Sequence, residues 1–314
     1  MSGVAALALN SSEENALNLH HKTKLQQLQK LYDRTPESVV YFLAGSLPAI
    51  AILHLKKLTL FSMITRLPDN ILNQIARYVL TTAKDNDKSW FVSIRKICSQ
   101  YNLPHPLTLL NNPLSKESSK KLFKNNVQDY WQSEFRLKSS SLDSLNYFKT
   151  EFMSLSRPHP LWTTCGNNSY EVSKAVIQAR FLSGRYRCEK LTSHFTSTKS
   201  SPLCSICPDG SIGSVEHILL FCSALEDVRS QLLANLQKNE SISKETKQII
   251  QFNFTLSTST KVQLLIDPSV LPDVIRETQN GNYDLIEEMF RFTRNWCFSI
   301  HRQRLKLQGK WTKN

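Results

Sequence analysis

Four residues of metal-ligand type, Cys204, Cys207, His217 and Cys222, fall in the pattern C-x2-C-x9-H-x4-C. Three thiolates and one imidazole form a closed tetrahedral donor set that Zn²⁺ accepts without an open position. The composition therefore predicts a structural ion, not a catalytic one. The nine-residue loop contains Pro208, Gly210 and Gly213. Its glycines supply turn conformations closed to other residues, so both ligand pairs can fold toward one point. Two other readings stand beside this one. C-x2-C is also a redox motif, but that chemistry wants a thioredoxin-like βαβ context, and these flanks read as loop and helix. Cysteine also packs as a small buried hydrophobe.

A second set of residues suits phosphate. Arg180, Arg185, Arg187 and Lys190 cluster just before the knuckle. The C-terminal stretch carries Arg291, Arg294, Arg302, Arg304, Lys306, Lys310 and Lys313 with no acidic residue, and Trp296, Phe298, His301 and Trp311 are interleaved. Guanidinium groups neutralise phosphates and aromatic faces stack on unpaired bases. Arg180, Arg185, Arg187, Lys190, Arg294, Arg302, Arg304 and Lys306 are the expected contacts to RNA or DNA. Against this, Met289, Phe292, Trp296 and Ile300 lie at helical spacing and read as core, and cations near a helix C-terminus also suit its dipole.

Nothing proposes catalysis. The other histidines, at 20, 21, 54, 105, 159, 194 and 301, are scattered without a nucleophile-and-base arrangement. Gly210-Ser211-Ile212-Gly213-Ser214 matches neither a nucleophile elbow nor a phosphate loop. No two aspartates are adjacent, so a two-metal site built on such a pair is absent. The expectation is a non-enzyme with no small-molecule substrate.

The net charge of +13, from 39 basic and 26 acidic side chains, favours a polyanionic partner. Seven cysteines, an odd number, and no signal-peptide pattern point to a reducing intracellular compartment. The most apolar stretch, Leu47 to Leu60, contains Pro48, His54, Lys56 and Lys57, which falls short of the roughly 20 apolar residues of a membrane span. A soluble protein with no membrane partner is expected.

The elements that must position these groups read as helices. A capping box from Ser11 to Glu14 opens one that runs to Tyr32. Thr35-Pro36 opens a second, ended by Gly45, and Pro48 a third with a broad buried face and Lys56 and Lys57 outward. Further helical stretches are Asp69 to Leu80, Trp90 to Tyr101, Ser115 to Lys138, Leu142 to Leu155 and Tyr170 to Leu182. Leu103 to Leu107 and Arg157 to Trp162 are proline-paired connectors. Ser214 reads as the cap of a helix from Val215 to Leu233 with His217 in its first turn. Ser241 to Phe252, a short element at Asp267-Pro268-Ser269 and a long helix from Tyr283 to Lys306 follow. No hairpin chemistry and no internal repeat is present, so the fold class is mostly α, a multi-helix assembly with one zinc-stapled turn. The organisation reads as a helical segment over 1–66, a helical connector over 67–169, the knuckle region over 170–235 and a basic helical segment over 236–314.

Leu182-Ser183-Gly184-Arg185-Tyr186-Arg187, the four ligands, Val215-Glu216-His217-Ile218-Leu219-Leu220 and Arg229 together resemble the C-terminal region of reverse transcriptases from non-LTR retrotransposons, the jockey-like endonuclease and reverse-transcriptase polyproteins. Arg34-Thr35-Pro36, Val40 to Pro48 and His54-Leu55 resemble the segment those polyproteins carry after the polymerase palm, in and beyond the thumb. The resemblance covers nearly the whole chain. It implies zinc on Cys204, Cys207, His217 and Cys222, helices that grip template RNA and target DNA, a reverse-transcriptase core as partner and a nuclear setting at chromatin. The paired-aspartate polymerase site and the endonuclease of that family match nothing here, so the chain reads as a truncated copy or fragment. The loop between Cys207 and His217 is longer than in retroviral nucleocapsid knuckles, which puts nucleocapsid-style base recognition in doubt. A turn that only staples helices, in a scaffold that docks on a polymerase core, fits the same residues.

Overall fold

The computed structural model describes residues 6–7, 9–194 and 201–309. Among them the chain is mostly α-helical with no strand, and its one β-bridge, Leu203 to Ile212, closes the metal-ligand loop. No single described helix is long and apolar enough to cross a membrane. The chain divides into two compact units, 1–25 with 45–138, and 26–44 with 139–314.

The first unit holds α1 (Ser11–Leu28) as far as Leu25, α3 (Ala49–Thr65), α4 (Ile71–Thr82), α5 (Trp90–Gln100), α6 (Pro106–Asn111) and α7 (Lys116–Ser140) as far as Lys138. Leu58, Phe61, Ile94, Ile97, Phe123 and Val127 fill its core. Asn10, not Ser11, caps α1: its side chain accepts from the amides of Ser12 and Glu13, while Glu13 reaches back to the Asn10 amide. The cap of α4 is likewise Asn70, one residue after the expected Asp69. Lys57 is not outward. It is fully buried, four residues from both Leu53 and Phe61 on the inward face of α3, and its ammonium lies 4.0 Å from the Glu14 carboxylate. Burial lowers the Lys57 pKa against the pull of Glu14.

The second unit is built around α15 (Tyr283–Leu307), which lies against α9 (Ser169–Leu182), α11 (Glu226–Lys238), α12 (Lys244–Thr255), α13 (Thr258–Ile266) and α14 (Pro272–Gln279). Met289, Trp296 and Ile300 are buried on α15, as the helical spacing predicts, with Phe290 and Cys297 beside them. Gln178 of α9 donates to the carbonyls of Leu265 and Ile266 and to Thr293 Oγ1, each at 3.0 Å, fastening α9, α13 and α15 together. The unit also holds α2 (Glu37–Ala44), α8 (Pro160–Thr163) and α10 (Glu189–Thr192).

Three expectations change here. The stretch from Leu142 to Leu155 is not one helix but two short 3-10 turns, Asp143–Leu145 and Thr150–Phe152. The Ser144 carbonyl occupies the space a Cβ on Gly184 would need, and Gly184 has φ +62°, so a glycine closes α9 against this segment. α1 stops at Leu28, and Lys30 turns at φ 51° before α2. Both proline-paired connectors start helices at their second proline. His105 Nδ1 accepts from Leu107 N at 3.3 Å and His159 Nδ1 from Leu161 N at 3.2 Å, so each histidine caps the helix its proline begins.

Candidate metal centre

The first ligand pair lies on a narrow loop. Cys204 N donates to the Ser211 carbonyl at 2.8 Å and Gly213 N to the Pro202 carbonyl at 2.9 Å, which pins both ends of the hairpin. Gly210 turns the tip at φ +65°, as its glycine predicts. Gly213 has a different reason: a Cβ there would come within 2.5 Å of Glu189 Oε2.

The second pair comes from a widened helical turn. Ser214 Oγ accepts from the His217 amide at 3.2 Å, the expected cap. The helix does not run on to Leu233. His217–Phe221 is π-helical, the Cys222 amide donates to the His217 carbonyl at 2.7 Å, and α11 starts afresh at Glu226 after a 3-10 turn, Ser223–Leu225. Ligand geometry explains the break. Residues five apart on an α-helix point about 140° away from each other, whereas the wider i to i+5 bonded turn brings residue i+5 back toward the side of residue i. Only the wider turn lets the side chains of His217 and Cys222 converge.

The four ligand atoms lie within 4.8 Å of one another. Cys204 Sγ is 3.9 Å from Cys222 Sγ, and Cys207 Sγ is 3.3 Å from His217 Nε2. A tetrahedron with metal–sulfur bonds of about 2.3 Å has sulfur–sulfur edges of about 3.8 Å and slightly shorter sulfur–nitrogen edges, so this donor set fits a metal ion. Cys204, His217 and Cys222 are buried and Cys207 half-buried. Burial and the neighbouring Cys204 push the Cys222 thiol up to about 12, burial raises Cys207, and burial lowers His217 against the pull of Asp209. Crowded, desolvated thiols resist ionisation, and a cation at their centre reverses that balance.

Around the ligands stands a shell of fixed groups. Arg229 Nη2 donates to the Cys222 carbonyl at 2.8 Å. Ser223 Oγ donates to the Asp209 carboxylate at 2.8 and 2.9 Å, joining the ligand loop to the turn after Cys222. Trp296 Nε1 reaches the Leu219 carbonyl at 3.4 Å, and Tyr147 Oη donates to Glu216 Oε1 at 2.9 Å. Glu189, which sequence reasoning missed, accepts at Oε1 from Ser205 Oγ at 2.5 Å, Arg304 Nη2 at 2.9 Å and Gln308 Nε2 at 3.2 Å. Burial opposes ionisation, but the hydrogen bonds from Ser205 and Arg304 and the Arg304 charge hold its carboxyl below the ordinary range. No motif announces this role; a lone glutamate in a basic stretch is its only trace.

No family model, curated protein or solved structure matches this chain.

The expected phosphate contacts divide. Arg187, Lys190, Arg302 and Lys306 are exposed, and Arg180 and Arg185 half-buried. Arg294 and Arg304 are buried and already engaged, which takes both away from an outside ligand. Arg294 donates to Thr164 Oγ1 at 2.5 Å and to the Thr164 carbonyl at 3.0 Å, and pairs with Glu171 at 3.4 Å. Arg304 bonds Glu189 and the Arg187 carbonyl, at 2.9 and 2.8 Å. The reason is helical phase: residues 294, 297, 301 and 304 share one face of α15, and that face packs inward. Lys310, Trp311 and Lys313 lie outside the described residues.

Proposed function

We propose that this chain is a non-catalytic, zinc-stapled helical module that binds nucleic acid, the counterpart of the C-terminal region of a non-LTR retrotransposon reverse transcriptase acting in the nucleus. The observation that carries this reading is the Cys204, Cys207, His217 and Cys222 cluster. Its thiolate-rich, closed, four-coordinate donor set suits zinc over harder ions and leaves no position for substrate. Arg180, Arg185 and Arg187, which precede the knuckle, form no ion pair with a carboxylate among the described residues, and the +13 charge supplies the attraction to phosphate. Zinc here holds the ligand loop against its neighbouring turn; it does no chemistry.

The test is elemental analysis of purified chain and of Cys207→Ser, followed by RNA and DNA binding across a salt titration. One zinc per wild-type chain, none in the variant, and affinity that falls steeply with salt are expected. A folded protein without zinc, or affinity flat in salt, overturns the reading.

A second reading, a scaffold that docks on a polymerase core without touching nucleic acid, is favoured by α4. Leu67, Ile71, Leu72, Ile75 and Tyr78 are all exposed. Ile71, Ile75 and Tyr78 recur at helical spacing, so one apolar stripe faces outward. Under this reading Ile75→Glu abolishes capture of a reverse-transcriptase core, and this chain without the core shows no salt-dependent binding to RNA.

A further inference from the structure

Tyr32 carries two guanidinium groups. The Arg180 and Arg187 guanidinium carbons stand 4.5 and 4.6 Å from its ring centroid, and Arg180 Nη2 also donates to the Lys30 carbonyl at 3.2 Å. Cations held over an aromatic face keep their outer edges free for acceptors and lose little freedom when an anion arrives. Two clefts meet at this ring. One, of about 830 Å³, runs past Arg180, Arg187, Ser205 and Gln308 beside the metal-ligand turn. The other, of about 430 Å³, is lined by Asp33, Arg34, Arg185 and Arg187. Tyr32, Arg187 and Thr192 belong to both.

Charge along this double cleft is unbalanced. The charges of Glu189 and Arg304 offset each other, which leaves the Asp33 carboxylate against Arg34, Arg180, Arg185 and Arg187. The Nε atoms of Arg180 and Arg185 are buried with no hydrogen-bond acceptor among the described residues. Arg34 and burial both weigh against the charge on Arg185, burial more strongly. Like charges gathered in a recess cost stability unless an anion neutralises them.

We propose that the two clefts form a track for consecutive nucleotides of single-stranded nucleic acid, with Arg187 at their junction binding the phosphate that links one nucleotide to the next. The proposal rests on the nucleic-acid reading above and names its substrate. A succession of guanidinium groups through two recesses of ligand size suits a flexible strand, whose phosphates recur and whose width fits a cleft. A duplex offers phosphates on a wide rigid rod and reaches only the rims. A phosphorylated peptide offers one dianion, which a single recess would serve.

The experiment compares fluorescein-labelled twelve-residue oligonucleotides, single-stranded RNA, single-stranded DNA and the DNA duplex, by anisotropy across salt on zinc-loaded full chain. The proteins are wild type, Arg187→Gln, Arg187→Lys and, as an exposed cation on α11 that lines neither cleft and is not among the expected contacts, Lys238→Gln. Expected are tighter binding of single strands than of duplex and about tenfold weaker single-strand binding in Arg187→Gln. The log–log salt slope should also be smaller by about 0.7 in that variant, the loss of one single-strand phosphate contact. Arg187→Lys should recover only part of the affinity, since the ammonium lacks the planar fork, and Lys238→Gln should change it less than twofold. Equal losses in Arg187→Gln and Lys238→Gln, or duplex bound as tightly as single strand, overturn the track and leave the nucleic-acid reading standing. No binding of any oligonucleotide overturns both. A phosphoserine peptide bound more tightly than either strand overturns the track in favour of a phosphoprotein partner.

Discussion

Arg304 Nη2 donates to Glu189 Oε1 at 2.9 Å, and that carboxylate oxygen also takes the hydroxyl of Ser205, inside the C-x2-C turn. One buried ion pair therefore ties the last turns of α15 to the loop that presents two metal ligands. Both side chains are about nine-tenths buried. Glu189→Gln should destabilise the chain by about 3–5 kcal/mol because it leaves the Arg304 charge buried and uncompensated. Pairing it with Arg304→Met should recover most of that loss. Denaturant unfolding of both single variants and the double variant measures the coupling; additive losses would mean the two residues act separately.

Metal removal should separate the ligand cysteines from the rest. Cys204→Ser and Cys222→Ser should each lose the bound ion. Cys165→Ser, a buried cysteine outside the cluster, should retain one ion per chain and lose only packing. Chelation of the wild type should lower its melting temperature by more than about 10 °C, given that small structural zinc sites contribute on the order of 10 kcal/mol. Calorimetry with and without chelator, beside elemental analysis, decides it.

The pH dependence of stability should carry a signature of His301. Its ring accepts or donates at 3.0 Å to Tyr186 Oη, and burial, then Arg180 and Arg304, lower its pKa from 6.5 to about 4. The unfolded chain therefore takes up the proton first. This contribution is fully present above pH 6.5 and is lost as pH falls toward 4, with a slope of up to about 1.4 kcal/mol per pH unit. His301→Gln should lack that part of the acid slope. Urea unfolding of both proteins between pH 4 and 8 checks it, and parallel curves would exclude His301 as the source.

Two glycines make a matched pair. Gly166 and Gly184 both have positive φ, +56° and +62°, but only Gly184 has the Ser144 carbonyl in the way of a Cβ. Gly166→Ala should cost about 1 kcal/mol, the penalty of a left-handed backbone alone. Gly184→Ala should cost at least about 3 kcal/mol, because a backbone carbonyl must also move. Similar losses in thermal unfolding would mean that the segment around Ser144 yields readily.

Local rules made much of this chain legible. The Cys3His set could be read directly because donor type and spacing are sequence properties, and α9 and α15 because periodicity and caps are local. The inward turn of Arg294 and Arg304 is equally local, because with Cys297 they share one helical phase of α15. What sequence could not fix lay in contacts between distant segments. Lys57 is buried on α3, and the carboxylate nearest its ammonium, 4.0 Å away, belongs to Glu14, forty-three positions earlier in the chain. The stretch around Ser144 avoids a helix where it meets Gly184, and α11 restarts after Cys222 because two ligands must converge on one point. Glu189 acquires its role only when α15 brings Arg304 and Gln308 to the ligand loop. Donor chemistry, periodicity and capping act within a few residues, so the sequence alone determined them. Which charges are buried, and which helices must break, depends on desolvation and close approach between remote parts of the chain, and only the tertiary structure decided that.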